Sequence, residues 1–132
     1  MFLYFIMEIF IARHGQTNLN KEKRLAGNTN LAQLNTKGRE HAKKLAEFLA
    51  DKKIEEIFSS PLNRARDTAT PISDKINKKV KINKNLREFD FGIMDGRRER
   101  GKGKEGLVKR RVDLNYKFTK GDSYASTIKR VS

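Results

Sequence analysis

Ile9-Phe10-Ile11-Ala12 is an unbroken apolar run that leads straight into Arg13-His14-Gly15. An apolar run without alternation reads as a strand buried on both faces, the kind found in parallel sheets covered by helices. A glycine just past the strand lets the chain turn sharply. The turn leaves an imidazole and a guanidinium at the carboxyl edge of a sheet, where open α/β folds hold their ligands. Histidine can act as a nucleophile, and arginine grips phosphate with a planar fork of donors. By itself the triplet reads more readily as a surface Arg-His pair, because short motifs recur by chance.

The pattern along the rest of the chain points to the same class. Residues 8–13 form the first predicted strand, Ile54 to Ser59 the second and Val80 to Ile82 the third. Between the first two, Gly15 to Gln33 is a long polar loop, and such loops tend to be functional. A helix follows from Asn35 or Thr36, either of which can cap it. Its apolar stripe is Ala42, Leu45, Ala46 and Leu49. Ser60-Pro61 predicts a second helix start, with serine as N-cap. Ala65, Ala69, Ile72 and Ile76 continue one face, and Pro71 within it should kink or interrupt the helix. Gly101, Gly103 and Gly106 make the basic stretch 97–111 read as a mobile loop. Tyr124 to Val131 opens a further helix. Strands alternating with helices predict an α/β layer fold.

At 132 residues the chain is one domain, large enough for a hydrophobic core. It has no cysteine, which excludes a disulfide framework and a thiolate zinc site and favours the cytoplasm. Residues 1–6 read equally well as an upstream extension or as a longer first strand. They are too short to span a membrane. The net charge of +14 raises the question of nucleic acid. Arg97 to Arg111 holds eight Lys/Arg against Glu99 and Glu105. No aromatics interleave with that run, which argues for a solvated surface rather than a nucleic-acid site. A positive field also draws in phosphorylated molecules.

Three further segments change the weight of the opening triplet. Gln16 to Asn20 completes Arg13-His14-Gly15-x-Thr17-x-x-Asn20. Ser59-Ser60-Pro61-Leu62-x-Arg64-Ala65-x-x-Thr68-Ala69 follows the second strand. Leu86-x-Glu88-x-x-Phe91-Gly92-x-x-x-Gly96 follows the third, and Gly121-Asp122-Ser123-Tyr124 gives a weaker match. In this order the segments resemble the histidine phosphatase superfamily, the phosphoglycerate-mutase-like proteins. The resemblance implies a three-layer α/β/α fold with a mostly parallel sheet. It implies His14 as a nucleophile forming phosphohistidine, with Arg13 and Arg64 clamping the phosphoryl oxygens and Asn20 adding a neutral donor. Glu88 would be the general acid, protonating the leaving oxygen, and then the base for the attacking water. Each residue has a plainer reading: Arg64 a helix-surface arginine, Glu88 a partner of Arg87 or Arg97, Asn20 a turn cap. The joint match favours the functional one.

The resemblance implies a cofactor-independent phosphomonoesterase acting on a small phosphorylated metabolite. The acidic residues do not cluster with histidine at metal-ligand spacing. The short stretch between Gly96 and Gly121 favours a phosphatase over a phosphoglycerate mutase. A non-catalytic basic binding protein is the alternative from another class. The chain also departs from the family. The resemblance calls for a second active-site histidine beyond the Gly-Asp-Ser segment, and none is present before Ser132. His41, beside the apolar stripe of its helix, reads as a surface histidine. The expectation is therefore a single partial domain, shortened at its carboxyl end and impaired in activity.

Overall fold

The computed structural model describes residues 7–98 and 100–132, with side chains for all of these except residues 102 and 103. Residues 1–6, read above as an extension or a longer strand, lie outside the described residues. In chain order the elements are α1 (Asn18–Lys21), α2 (Thr36–Leu49), β1 (Ile57–Ser59), α3 (Asn63–Ile76), β2 (Val80–Ile82), α4 (Lys102–Val112) and α5 (Tyr124–Val131). Two 3-10 turns, Lys84–Leu86 and Gly92–Met94, lie between β2 and α4.

The expected α/β character is built around one βαβ unit. β1 and β2 pair in parallel, with Ile57 opposite Val80 and Ser59 opposite Ile82, and α3 makes the crossover. Asn35 caps α2 by accepting the Gly38 N–H at 2.9 Å. The predicted stripe of α2 then meets the predicted face of α3. Ala46, Leu49, Ile57, Ala69 and Ile72 form one buried cluster, with Leu45, Ile54, Ile76 and Val80 packed against it. Each large aliphatic buried this way contributes roughly 1.5–3 kcal/mol. α3 ends on Asn77, whose left-handed backbone (φ 53) closes the helix with an N–H bond to Ser73 O.

A second cluster of Leu25, Phe89, Phe91 and Phe118 holds the remaining half of the chain. The loop around Leu25 is stitched to the segment after Phe91: Leu25 N–H donates to Arg97 O and Gly96 N–H to Leu25 O, at 2.8 and 2.7 Å. That stitching brings the His14 loop and the Glu88 segment to one side of the molecule.

Five local expectations are corrected. Residues 8–13 do not form a strand. A strand exists only as part of a ladder, and these residues have no ladder partner among the described residues; Ile11 is 94% exposed. The loop predicted from Gly15 to Gln33 contains α1, made by a capping box between Thr17 and Asn20. α3 begins at Asn63 rather than at Ser60-Pro61, because the backbone of Leu62 is still extended and Leu62, not Ser60, stands at the N-cap. It also runs through Pro71, which shares a shallow cleft with Lys43, Ala46 and Glu47 of α2.

The fifth correction concerns stretch 97–111, predicted as a mobile loop. It contains most of α4. Gly106 is buried against the Phe118 and Tyr116 rings, so its missing side chain serves close packing rather than flexibility. Arg110 lies 5.1, 5.2 and 5.0 Å from the ring centroids of Phe89, Phe91 and Tyr124. Lys109, Arg110 and Arg111 sit in the last turn, where positive charge suits the helix dipole. Among the described residues no helix is long and apolar enough to cross a membrane.

Candidate active site

His14 is half-buried just after residues 8–13, and its neighbours hold it in one orientation. The Gly15 N–H donates to Thr68 Oγ1 at 3.0 Å, and Thr68 Oγ1 donates to Arg64 O at 2.7 Å. The turn carrying His14 is thereby tied to the second turn of α3. On its other side the turn lies against α2. A side chain at Gly15 would overlap the carbonyl of Gly38, and one at Gly38 would overlap the carbonyl of Gln16. Two glycines face each other here because the two backbones touch.

The imidazole Nδ1 lies 2.7 Å from Gly15 O. A carbonyl oxygen only accepts, so Nδ1 carries the hydrogen and Nε2 keeps its lone pair. Burial pushes the His14 pKa below its usual 6.5. The Gly15 carbonyl opposes this, the positive charges of Arg64 and Arg13 reinforce it, and Glu88 opposes it more weakly. A neutral imidazole with a free Nε2 is the form that can attack phosphorus.

Arg64 is 2% exposed in the first turn of α3. Nη1 donates to Thr29 O at 3.0 Å and Nη2 to Gly27 O at 2.7 Å. These bonds use two of the five donors of a guanidinium. The others have no partner among the described residues. Burial lowers the Arg64 pKa, Glu88 and then Asp95 raise it, and Arg13 lowers it. Guanidinium nevertheless stays charged in proteins.

His14, Arg64, Arg13 and Glu88 therefore share one electrostatic neighbourhood: each of the other three acts on the titration of His14. Arg13 and Glu88 are exposed. Glu88 Oε1 accepts the Phe89 N–H at 2.8 Å. Asn20 stands apart in its bonding. Its Oδ1 accepts the Thr17 N–H at 3.2 Å, closing the capping box of α1. That is the turn-capping alternative, and it leaves only the amide hydrogens of Asn20 to meet a ligand. His41 is exposed on α2, outside this group.

Reading by sequence assigned no role to Thr68, although it lies within the Arg64 segment. Gly27, Thr29 and Asp95 likewise carried no predicted role. The Asp95 carboxyl is pushed up to about 6 by burial and by Asp90, against the backbone amides of Phe91 and Asn28 and the charge of Arg64. Its signal in the sequence was only its place between Met94 and Gly96.

Comparison with known proteins gives a consistent picture. A family model described as the histidine phosphatase superfamily (branch 1) matches residues 9–132. Phosphoglycerate mutase-like protein 4 of Arabidopsis thaliana is 40% identical over 91 residues, covering 67% of this chain and 39% of that protein. Among solved structures, a mycobacterial glucosyl-3-phosphoglycerate phosphatase complexed with VO3 superposes with a TM-score of 0.80 at 28% identity. That match covers 89% of this chain and 60% of the other. The alpha-ribazole phosphatase from Shigella flexneri gives a TM-score of 0.77 at 25% identity, covering 89% and 59%. The chain thus spans about two-fifths of the curated relative's length and about three-fifths of the solved structures.

Proposed function

Because the chain belongs to the histidine phosphatase superfamily, we propose that it carries the nucleophile and the main phosphate clamp of a phosphomonoesterase. His14 Nε2 attacks phosphorus in line with the ester oxygen. The N–P bond forms as the P–O bond breaks, and Glu88 gives a proton to the departing alkoxide. Arg64 and Arg13 neutralise charge on the equatorial oxygens, with the Asn20 amide as a neutral donor. Such positioning and neutralisation are what phosphoryl transfer chiefly requires. Water then attacks phosphohistidine while Glu88 takes its proton, releasing inorganic phosphate.

The observation that carries this reading is the orientation of His14. Its Nδ1 is tied to Gly15 O, its Nε2 is free, and positive charge stands beside it. That the structural neighbours are phosphatases supports hydrolysis of a small phosphorylated metabolite, and the +14 charge suits an anionic substrate. The name of the Arabidopsis relative keeps a phosphoglycerate mutase as the second reading.

The test is phosphoryl trapping with an aryl phosphate. The expected product is acid-labile, base-stable phosphate on His14, absent from His14→Ala. Equal labelling of the two proteins would refute the assignment. Transfer between hydroxyls exceeding release of free phosphate, in the presence of a bisphosphoglycerate, would favour the mutase.

A further inference from the structure

Arg64 is aimed by a strap of backbone rather than by an acidic partner. Its two hydrogen-bond acceptors are the carbonyls of Gly27 and Thr29. What fixes that strap is therefore what fixes the guanidinium. Gly27 has a left-handed backbone (φ +44), and a side chain there would overlap Asp95 Oδ1 and crowd the Phe91 ring. The Asp95 carboxyl thus lies directly on the strap. Its Oδ1 also accepts the Phe91 N–H at 3.2 Å, which anchors it to the turn after Glu88. The next residue along the strap is held in the same way, with Asn28 Nδ2 donating to Asp90 Oδ2 at 3.4 Å.

We propose that Asp95 is a positioning residue that holds the Gly27–Thr29 strap and through it aims the Arg64 fork at the phosphoryl group beside His14. Asp95 touches no substrate in this role. The proposal rests on the reading of Arg64 as a phosphate ligand. Asp95 couples the two halves of the site, because it joins the Glu88 segment to the loop that holds Arg64. The charged groups around it are Asp90 on its own segment and Arg64 on α3, with Arg24 close by, bonded through Nε to Gly96 O. Of the two carboxylates, Asp95 is the one that a side chain at Gly27 would strike.

Two readouts separate this inference from the reading beneath it. The first is the ¹⁵N-resolved guanidinium signal of Arg64 in wild type, Asp95→Ala and Asp95→Asn. The second is the binding of inorganic phosphate by the same proteins, with Arg64→Ala as reference. Asparagine keeps an oxygen for the Phe91 N–H and alanine does not. The expected result is slowly exchanging Arg64 N–H groups in wild type and Asp95→Asn, lost in Asp95→Ala. Phosphate affinity should fall about tenfold or more in Asp95→Ala and recover in Asp95→Asn, since misplacing a binding group by about 1 Å can cost about a hundredfold. Unchanged Arg64 signals in folded Asp95→Ala would overturn the proposal. Altered signals in a protein whose phosphate binding ignores Arg64→Ala would leave the strap standing and refute Arg64 as the phosphate ligand.

Discussion

His14 gains its character from a few contacts, and each makes a measurable prediction. Burial first, and then Arg64 and Arg13, lower its pKa. A base with a depressed folded value contributes stability that is present above 6.5 and is lost as pH falls through the folded value. The His14 imidazole signals, and the acid limb of phosphoryl transfer to it, should therefore turn over below pH 6.5. Arg64→Ala should move that midpoint upward, and a wild-type midpoint above 6.5 would contradict the site as described. Asp95 has the opposite sign. Its carboxyl is raised from 3.8 to about 6, so its contribution is present below 3.8 and lost as pH rises through about 6. Asp95→Asn should flatten the melting temperature between pH 4 and 7, compared with a wild type that loses stability across that window. Thr68 acts by hydrogen bonding alone. Thr68→Val leaves the Gly15 N–H without its acceptor, while the Arg64 carbonyl keeps its bond within α3, a loss of about 1–3 kcal/mol. Denaturant unfolding measures it, and Thr68→Ser should restore most of the loss.

At the scale of elements, the sequence was legible wherever local periodicity and tertiary packing agreed. α2 and α3 follow their predicted stripes, because their apolar faces meet in a single cluster, and β2 forms where it was predicted, with Val80 packed against that cluster. It misled where a distant contact decides. Residues 8–13 have a strand's composition but no ladder partner among the described residues. The glycines of the basic stretch suggested mobility, while Gly106 in fact lets α4 approach Phe118. The motifs predict His14, Arg13, Arg64 and Glu88 as a set, and in the structure Arg64, Arg13 and Glu88 lie near enough to act on His14. Thr68 and Asp95 were not legible, because Thr68 bonds the backbone of Gly15 and Asp95 packs on the backbone of Gly27, both far away in sequence. Gly38 in α2 shows the same competition between local and distant effects. In an isolated helix Gly38→Ala would gain about 1 kcal/mol of propensity. Here the new methyl would overlap the Gln16 carbonyl, which belongs to a backbone tied to α3 and cannot yield freely. The clash should win. Gly38→Ala is expected to lower the melting temperature and to weaken the Gly15–Thr68 bond, seen as faster exchange of the Gly15 amide.

The whole molecule combines a net charge of +14 with apolar side chains on its surface. Ile9, Ile11, Phe58 and Ile82 are all exposed. The two features oppose each other: apolar contact between copies removes surface from water, while like charge keeps the copies apart. Ionic strength sets the balance, because the Debye length falls from about 30 Å at 0.01 M to about 3 Å at 1 M salt. The protein should stay monomeric at low salt and self-associate as salt rises. Light scattering across that range reads the effect. Ile9→Lys with Ile11→Lys removes exposed apolar surface and adds charge, so the double variant should remain monomeric at 1 M. Association that weakens with salt instead would show that ion pairs hold the copies together. Association unchanged in the double variant would place the contact away from residues 9 and 11.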